Sequence, residues 1–241
     1  MRLRVKFTKE NYLKYISHLD LMRLFQRAFR RGNIPIKYSE GFNPQPKFSI
    51  ANPLALGIES EEEYMDIDLE ERISPKAFIE IMNKELPEGI RVLDARYVKD
   101  NRSITSLISW AYYQIYFEAK NINSGEELNK LVNNWLEMDK IIIKRIRKKG
   151  RRVIEKEEDI KPLIGNIVIK EDKQGEENNN LKSVNIVMNC LLKAGDKGNL
   201  KPIDLLEAME KYIQPGIDFD SMGIKRIGLF TERGGSIELP M

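Results

Sequence analysis

Apolar and polar residues alternate from Arg2 to Lys9, with Leu3, Val5 and Phe7 set against Arg2, Arg4 and Lys6. A period of two predicts a half-buried strand with a cationic outer face. The period then changes. In SHLDLMRLFQRAFRRGN, residues Leu21, Leu24, Phe25, Ala28 and Phe29 fall at i, i+3, i+4, i+7 and i+8, one apolar stripe of a helix. Ser17 and Asp20 suit its N-cap and N3 positions, Gly32-Asn33 stops it, and Pro35 prevents its continuation. Residues 34–38, 47–57 and 62–71 read as extended segments, interrupted by turn signals around Pro53, Gly57 and Ser60. Ser74-Pro75 opens a second helix through Leu86, with Phe78, Ile79 and Met82 on one side, and residues 90–98 form another strand.

The second half repeats the plan less cleanly. Residues 110–118 form an aromatic strand, and 124–138 a helix with Leu128, Leu131, Val132 and Trp135 facing inward. Residues 141–149, 164–172 and 184–192 read as strands; a helix from Pro202 to about Tyr212 and a closing strand at 224–232 follow. The two successions, β-α-β-β-α-β and β-α-β-β-β-α-β, predict an α+β chain of two tandem ferredoxin-like (βαββαβ) domains, the second with an extra strand or hairpin. The domains are placed at 1–102 and 103–241, because KDNRSITS breaks the pattern near 99–108. The polar stretch 170–182, whose one apolar residue is Leu181, reads as a mobile hairpin tip.

Composition narrows the chemistry. The chain has 241 residues, 40 Lys+Arg against 37 Asp+Glu, a net charge of +3, one cysteine and one histidine. A single Cys190 forms no intramolecular disulfide, zinc finger or iron–sulfur cluster, and a single His18 leaves no histidine-based metal site. No metal and no cofactor are expected. No run approaches the ~18 apolar residues of a membrane span. MRLRVKFTKE lacks the apolar stretch of a signal peptide, so a cytoplasmic location without membrane contact is expected.

Local charge is more informative than the net value. Arg23, Arg27, Arg30 and Arg31 cluster opposite the apolar stripe of the first helix, without interleaved acids; their rigid forks suit phosphates or carboxylates. KRIRKKGRR puts seven cations (Lys144, Arg145, Arg147, Lys148, Lys149, Arg151, Arg152) into nine residues, a hairpin suited to a polyanion or, with the acidic EKEED behind it, a solubilising tip. Between Ser39 and Ser60 the chain is stiffened by Pro44 and Pro46, leaving Phe42 for stacking, Lys47 for phosphate, and Asn43 and Gln45 for a substrate or partner. His18, beside Asp20 at a helix start that lowers its pKa, is the one candidate for acid–base catalysis and is otherwise a packing or capping residue. Cys190 reads as an inert buried thiol, Glu59, Glu61, Glu62 and Glu63 as an acidic patch without metal-ligand spacing, and Asp196–Asn199 as a turn before a helix.

Ser17-His18-Leu19-Asp20, the arginine-bearing helix, Ser39-Glu40-Gly41-Phe42-Asn43-Pro44-Gln45-Pro46 and Leu56-Gly57-Ile58-Glu59-Ser60 together resemble the opening of the bacterial radical S-adenosylmethionine-linked protein family, a domain of unknown function. Residues 194–209 and 224–230 are similar to its C-terminal signatures, while Gln45 stands where the family commonly has histidine. The resemblance implies work beside a cobalamin-binding radical S-adenosylmethionine enzyme, in RNA modification or ribosome-related RNA metabolism. The chain lacks that enzyme's three-cysteine motif and would be its accessory module. The expected function is therefore a non-catalytic RNA-binding accessory protein. The alternatives are an RNA-processing endoribonuclease of ferredoxin-like type, which needs His18 as acid or base, and a protein–protein adaptor without RNA binding.

Overall fold

The computed structural model describes residues 1–99, 102–149, 152–171 and 183–241, with the backbone alone at 146–149 and 152–154. In chain order the elements are β1 (Arg2–Lys9), α1 (His18–Arg31), β2 (Phe48–Ile50), β3 (Glu59–Asp68), α2 (Pro75–Glu85), β4 (Val92–Val98), the single turn α3 (Ile104–Leu107), β5 (Ile108–Ala119) and α4 (Gly125–Glu137). They continue with β6 (Ile142–Lys149), β7 (Arg152–Asp159), β8 (Ile164–Glu171), β9 (Val184–Lys193), α5 (Pro202–Ile213), β10 (Gly223–Arg233) and β11 (Ser236–Glu238). The protein is α+β, with mostly antiparallel strand pairing and five α-helices among the described residues. It divides into two compact units: Met1–Ala111 with Ala194–Lys197 and Lys225–Met241, and Tyr112–Lys193 with Gly198–Ile224. The predicted hairpin tip at 170–182 lies, from 172 onward, outside the described residues.

In the first unit β1 pairs antiparallel with both β3 and β4, while β3 also carries β2 antiparallel and β10 parallel. Leu3, Val5 and Phe7 turn one face of β1 toward α1 and α2, where Phe25, Ala28, Phe29, Phe78 and Met82 complete an apolar core. Phe7 and Phe25 meet edge-on at 4.9 Å, and Phe29 meets Phe48 at 5.3 Å. The N-cap forms as its sequence requires: the Ser17 hydroxyl oxygen accepts from Asp20 N–H at 3.1 Å, and the hydroxyl donates to the Asp20 carboxylate at 2.6 Å.

The other face of β1 corrects the expectation of a cationic outer surface. Arg4 is 2% exposed, and its Nε and Nη2 donate to Asp66 at 2.8 and 3.1 Å. Its Nη1 donates to Pro240 O at 2.8 Å, and Asp66 also accepts from Ile104 N–H at 2.8 Å. Arg2 and Lys6 are likewise held, by Asp68 and Glu62. Both faces of the strand are covered, so alternation in charge does not mean alternation in solvent exposure.

In the second unit β9 lies between β5 and β8. Alternate residues of β5 and β9 (Tyr113, Ile115 and Phe117; Ile186, Met188 and Cys190) are buried, and the unit's helices contribute Leu128, Val132, Trp135, Leu205 and Met209 to its buried apolar residues. Cys190 is a fully buried free thiol whose pKa is pushed up by burial. The extra element is a whole hairpin, β6–β7, whose second strand, RVIEKEED, the hydrophobic pattern misses because it has so few apolar residues.

Candidate functional site

Four arginines were expected on one face of α1. Arg23, Arg27, Arg30 and Arg31 are all exposed, opposite buried Leu21, Phe25, Ala28 and Phe29. Two of the four are already paired: Arg23 reaches Asp20 at 3.3 Å, and Arg31 reaches Glu85 of α2 at 2.9 Å. Acids therefore do interleave with this row, in space where they do not in sequence. Arg27 and Arg30 have no ion-pair partner among the described residues, and they sit at i+8 and i+11 from Leu19, which is itself 66% exposed.

The Pro-stiffened loop lies a few residues beyond the C-terminal end of α1. Ser39 and Gln45 close it reciprocally: Ser39 N–H donates to Gln45 O at 2.8 Å, and Gln45 N–H to the Ser39 hydroxyl at 2.9 Å. Gly41, at φ = 121°, turns the tip, and Phe42 and Asn43 stand fully out in water. Lys47 is half-buried, and its backbone joins Lys37 and Asp68.

At the opposite end of α1 is a feature that the sequence reading missed. The 3₁₀ turn Asn11–Tyr15 presents Tyr12 and Tyr15, 88% and 63% exposed, beside a cleft of about 550 Å³ also lined by Lys14, Glu59 and Glu88. Asn11 enters the turn at φ = 56°, a left-handed conformation that asparagine tolerates. Gly89 makes room for it, since a Cβ there would lie 2.6 Å from Glu10 O. Gly57 N–H donates to Lys14 O at 3.0 Å, which brings the exposed Leu56 loop alongside.

The turn is anchored by a buried charge cluster. Lys9, 1% exposed, donates to Ile16 O at 3.1 Å and Lys14 O at 3.4 Å. In register, Lys9 of β1 is paired with Ser60 of β3, and Ser60 with Arg226 of β10. Arg226 grips Glu63 with Nε at 2.8 Å and Nη2 at 2.6 Å, and its Nη2 also donates to Asn52 O at 3.0 Å. The Ser60 hydroxyl is buried without a hydrogen-bond partner among the described residues. Between Phe7↔Glu63 and Lys9↔Ser60, one residue of β1 (Thr8) opposes two of β3 (Glu61 and Glu62), a bulge that brings Ser60 and Glu63 onto one face. Glu63 therefore does not belong to the acidic patch in which its neighbours stand, and Glu59, Glu61 and Glu62 are themselves paired with Lys14, Lys225 and Lys6.

His18 is the first residue of α1 and half-buried. Burial lowers its pKa, with the Glu63 carboxylate opposing and the Lys9 ammonium assisting. The Ser17 hydroxyl, backed by Arg23, holds the Asp20 carboxyl below its ordinary pKa. Among the described residues no three His, Cys, Asp or Glu side chains come together as metal ligands.

The basic hairpin in the second unit is partly neutralised by its own second strand. Lys144 lies 4.0 Å from Glu155, while Arg145 lies 2.5 Å from Glu158 and 3.5 Å from Asp204 and donates to Asn199 O at 2.9 Å. In backbone register Arg147, Lys148 and Lys149 stand opposite Ile154, Val153 and Arg152, beyond the acidic stretch. Their side chains and that of Arg152, with the whole of Arg151, lie outside the described residues.

A family model described as "Uncharacterized protein conserved in bacteria (DUF2344)" matches residues 2–202, so the chain belongs to that family. No protein of curated function matches it. Among the described residues no helix is long and apolar enough to cross a membrane.

Proposed function

We propose that this DUF2344 protein is an RNA-binding accessory protein without catalytic activity of its own. The observation that carries the reading is the pair Arg27 and Arg30, exposed on one helical stripe and without an ion-pair partner among the described residues. Two unpaired guanidiniums about one turn apart suit successive phosphates of a polyanion better than isolated carboxylates. Phe42 and Asn43, on a loop closed by Ser39 and Gln45, add a stacking ring and an amide beyond the C-terminal end of the helix. The basic hairpin of the second unit is, on its sequence, a separate candidate surface for a polyanion.

The resemblance of the opening motifs adds a radical S-adenosylmethionine enzyme as the working partner. We read each unit as a ferredoxin-like module. In the first, the pairing of β1 with β3 and β4, and of β3 with β2, supports this. In the second, the succession β5, α4, β8, β9, α5 supports it, with β6–β7 as an inserted hairpin.

The test is fluorescence anisotropy of a labelled RNA oligonucleotide at several salt concentrations. The double variant Arg27→Glu/Arg30→Glu should weaken binding and reduce the slope of log affinity against log salt by about 1.4, or about 0.7 per lost single-strand phosphate contact. Affinity and slope that stay unchanged would overturn the reading in favour of an adaptor.

A further inference from the structure

The tyrosine turn at the head of α1 has no task in the structure itself. Tyr12 and Tyr15 are the two rings of one 3₁₀ turn, and both face water beside an open cleft. Exposed aromatic surface of this kind, held on a defined backbone, is a recognition surface rather than a core residue out of place. The turn is well held: Asn11 adopts a left-handed conformation, Glu10 N–H before it donates to Gly89 O, Lys14 O accepts from Gly57 N–H, and buried Lys9 ties down Lys14 O and Ile16 O.

Two features, the helix that follows the turn and the lining of the cleft, say what would lie against the rings. Leu19, Arg23, Arg27 and Arg30 follow one another at i, i+4, i+8 and i+11, so an arginine row leads away from the turn along a single stripe. From Arg23 to Arg30 the row covers about 10 Å of helix axis. A ligand that follows it must supply flat apolar faces at one end and regularly spaced negative charge along its length. The cleft also offers amide and carboxylate groups, Asn11, Glu59 and Glu88, which suit the edges of bases. Lys14, 5.5 Å from the Tyr15 ring centroid and 3.2 Å from Glu59, adds a cation at the same place.

We infer that the Tyr12–Tyr15 cleft takes unpaired bases of single-stranded RNA whose phosphates continue onto Arg27 and Arg30. This rests on the RNA-binding reading and specifies the form of RNA. In a duplex the base faces are stacked on one another and unavailable to the rings; in a single strand they are free. Base–aromatic stacking tolerates any base, so the cleft selects strandedness more than sequence.

The experiment measures anisotropy of fluorescein-labelled oligo(U) and oligo(A) of eight nucleotides, and of a twelve-base-pair RNA duplex, with the full chain. Both single strands should bind more tightly than the duplex. Tyr12→Ala and Tyr15→Ala should each weaken single-strand binding by about five- to a hundredfold. Tyr12→Phe and Tyr15→Phe, which keep the ring, should stay within about twofold of the parent. Because both rings are exposed, the variants should keep the parent's melting temperature, which is checked alongside. If Arg27→Glu/Arg30→Glu abolishes binding while the tyrosine variants and strandedness make no difference, the inference falls and the RNA reading stands. That same result would leave the rings to a protein partner. If neither the oligonucleotides nor the duplex bind at low salt, the reading and the inference fall together.

Discussion

Arg4–Asp66 and Arg226–Glu63 are the same chemical pair twice, each a buried two-point contact between an arginine fork and a carboxylate, with side chains at most 3% exposed. Around Arg4–Asp66 the partners match: one cation, one anion, and remaining valences taken by Pro240 O and Ile104 N–H. Around Arg226–Glu63 they do not. A second buried cation, Lys9, has only backbone carbonyls within hydrogen-bond reach among the described residues, and burial lowers its pKa against the pull of Glu63. The neighbouring Ser60 hydroxyl has no hydrogen-bond partner among the described residues. The matched centre clamps two strands to the segments that cover them. The unmatched one uses a buried ammonium to hold the backbone at 14–16 and so fixes the tyrosine turn that leads into α1. Fully paired buried charge is a structural device, and buried charge directed at a loop is how a fold holds a surface in one shape.

The strongest way to break this comparison is to remove each carboxylate. Asp66→Ala and Glu63→Ala should each cost about 3–5 kcal/mol in urea unfolding, because each strands buried positive charge, and Glu63→Ala should cost more because it strands two cations. Replacing the pairs by apolar residues sharpens the contrast. Arg4→Met/Asp66→Leu should regain most of the loss, whereas Arg226→Met/Glu63→Leu should not, since Lys9 then lacks its nearby carboxylate. Double variants of equal stability would erase the distinction.

A smaller effect is expected at the orphan hydroxyl. Ser60→Ala should raise stability by about 0.5–1 kcal/mol, because it removes a buried polar group that makes no hydrogen bond. A loss of stability on the same scale would show that the hydroxyl is satisfied. The smallest effect belongs to His18. Its pKa lies below the ordinary 6.5, so as the pH falls the unfolded chain takes up the proton first. Its contribution is therefore complete above about pH 6.5 and declines as the pH drops below that, down to the folded-state pKa. Thermal melts of the protein and of His18→Gln between pH 7.5 and 5 should show the steeper decline in the parent.

The parts of this arrangement that follow from local periodicity are legible in the sequence. The stripe of α1 from Leu21 to Phe29, the Ser17–Asp20 cap, and the alternation of β5 and β9 all depend on near neighbours alone. Arg4 was not legible, since alternation shows which residues share a face but not whether both faces are covered; Lys9 continues the period of Leu3, Val5 and Phe7, but the backbone carbonyls that receive it at 14 and 16 do not show in that period. Glu63 was hidden by the bulge, which breaks the period of two within the run of glutamates and moves it from the company of Glu61 to that of Ser60. The run of three acids before Tyr64 was the one local sign of that break. The partner of Glu63 lies 163 residues away in sequence, a pairing that no window along the chain contains.

Both buried centres need residues far along the chain: Glu63 waits for Arg226, and Arg4 waits for the carbonyl of Pro240. A ribosome delivers β1, β3 and α1 long before either, and it makes the whole second unit in the interval. Until residues 225–240 emerge, the apolar core of the first unit has all its members between Leu3 and Ala95, while Glu63 lacks its arginine and Arg4, already able to meet Asp66, lacks the Pro240 carbonyl. The charged centres of the first unit are therefore completed only after the second unit has been made, whereas the tyrosine turn draws every one of its anchors from residues 9–89.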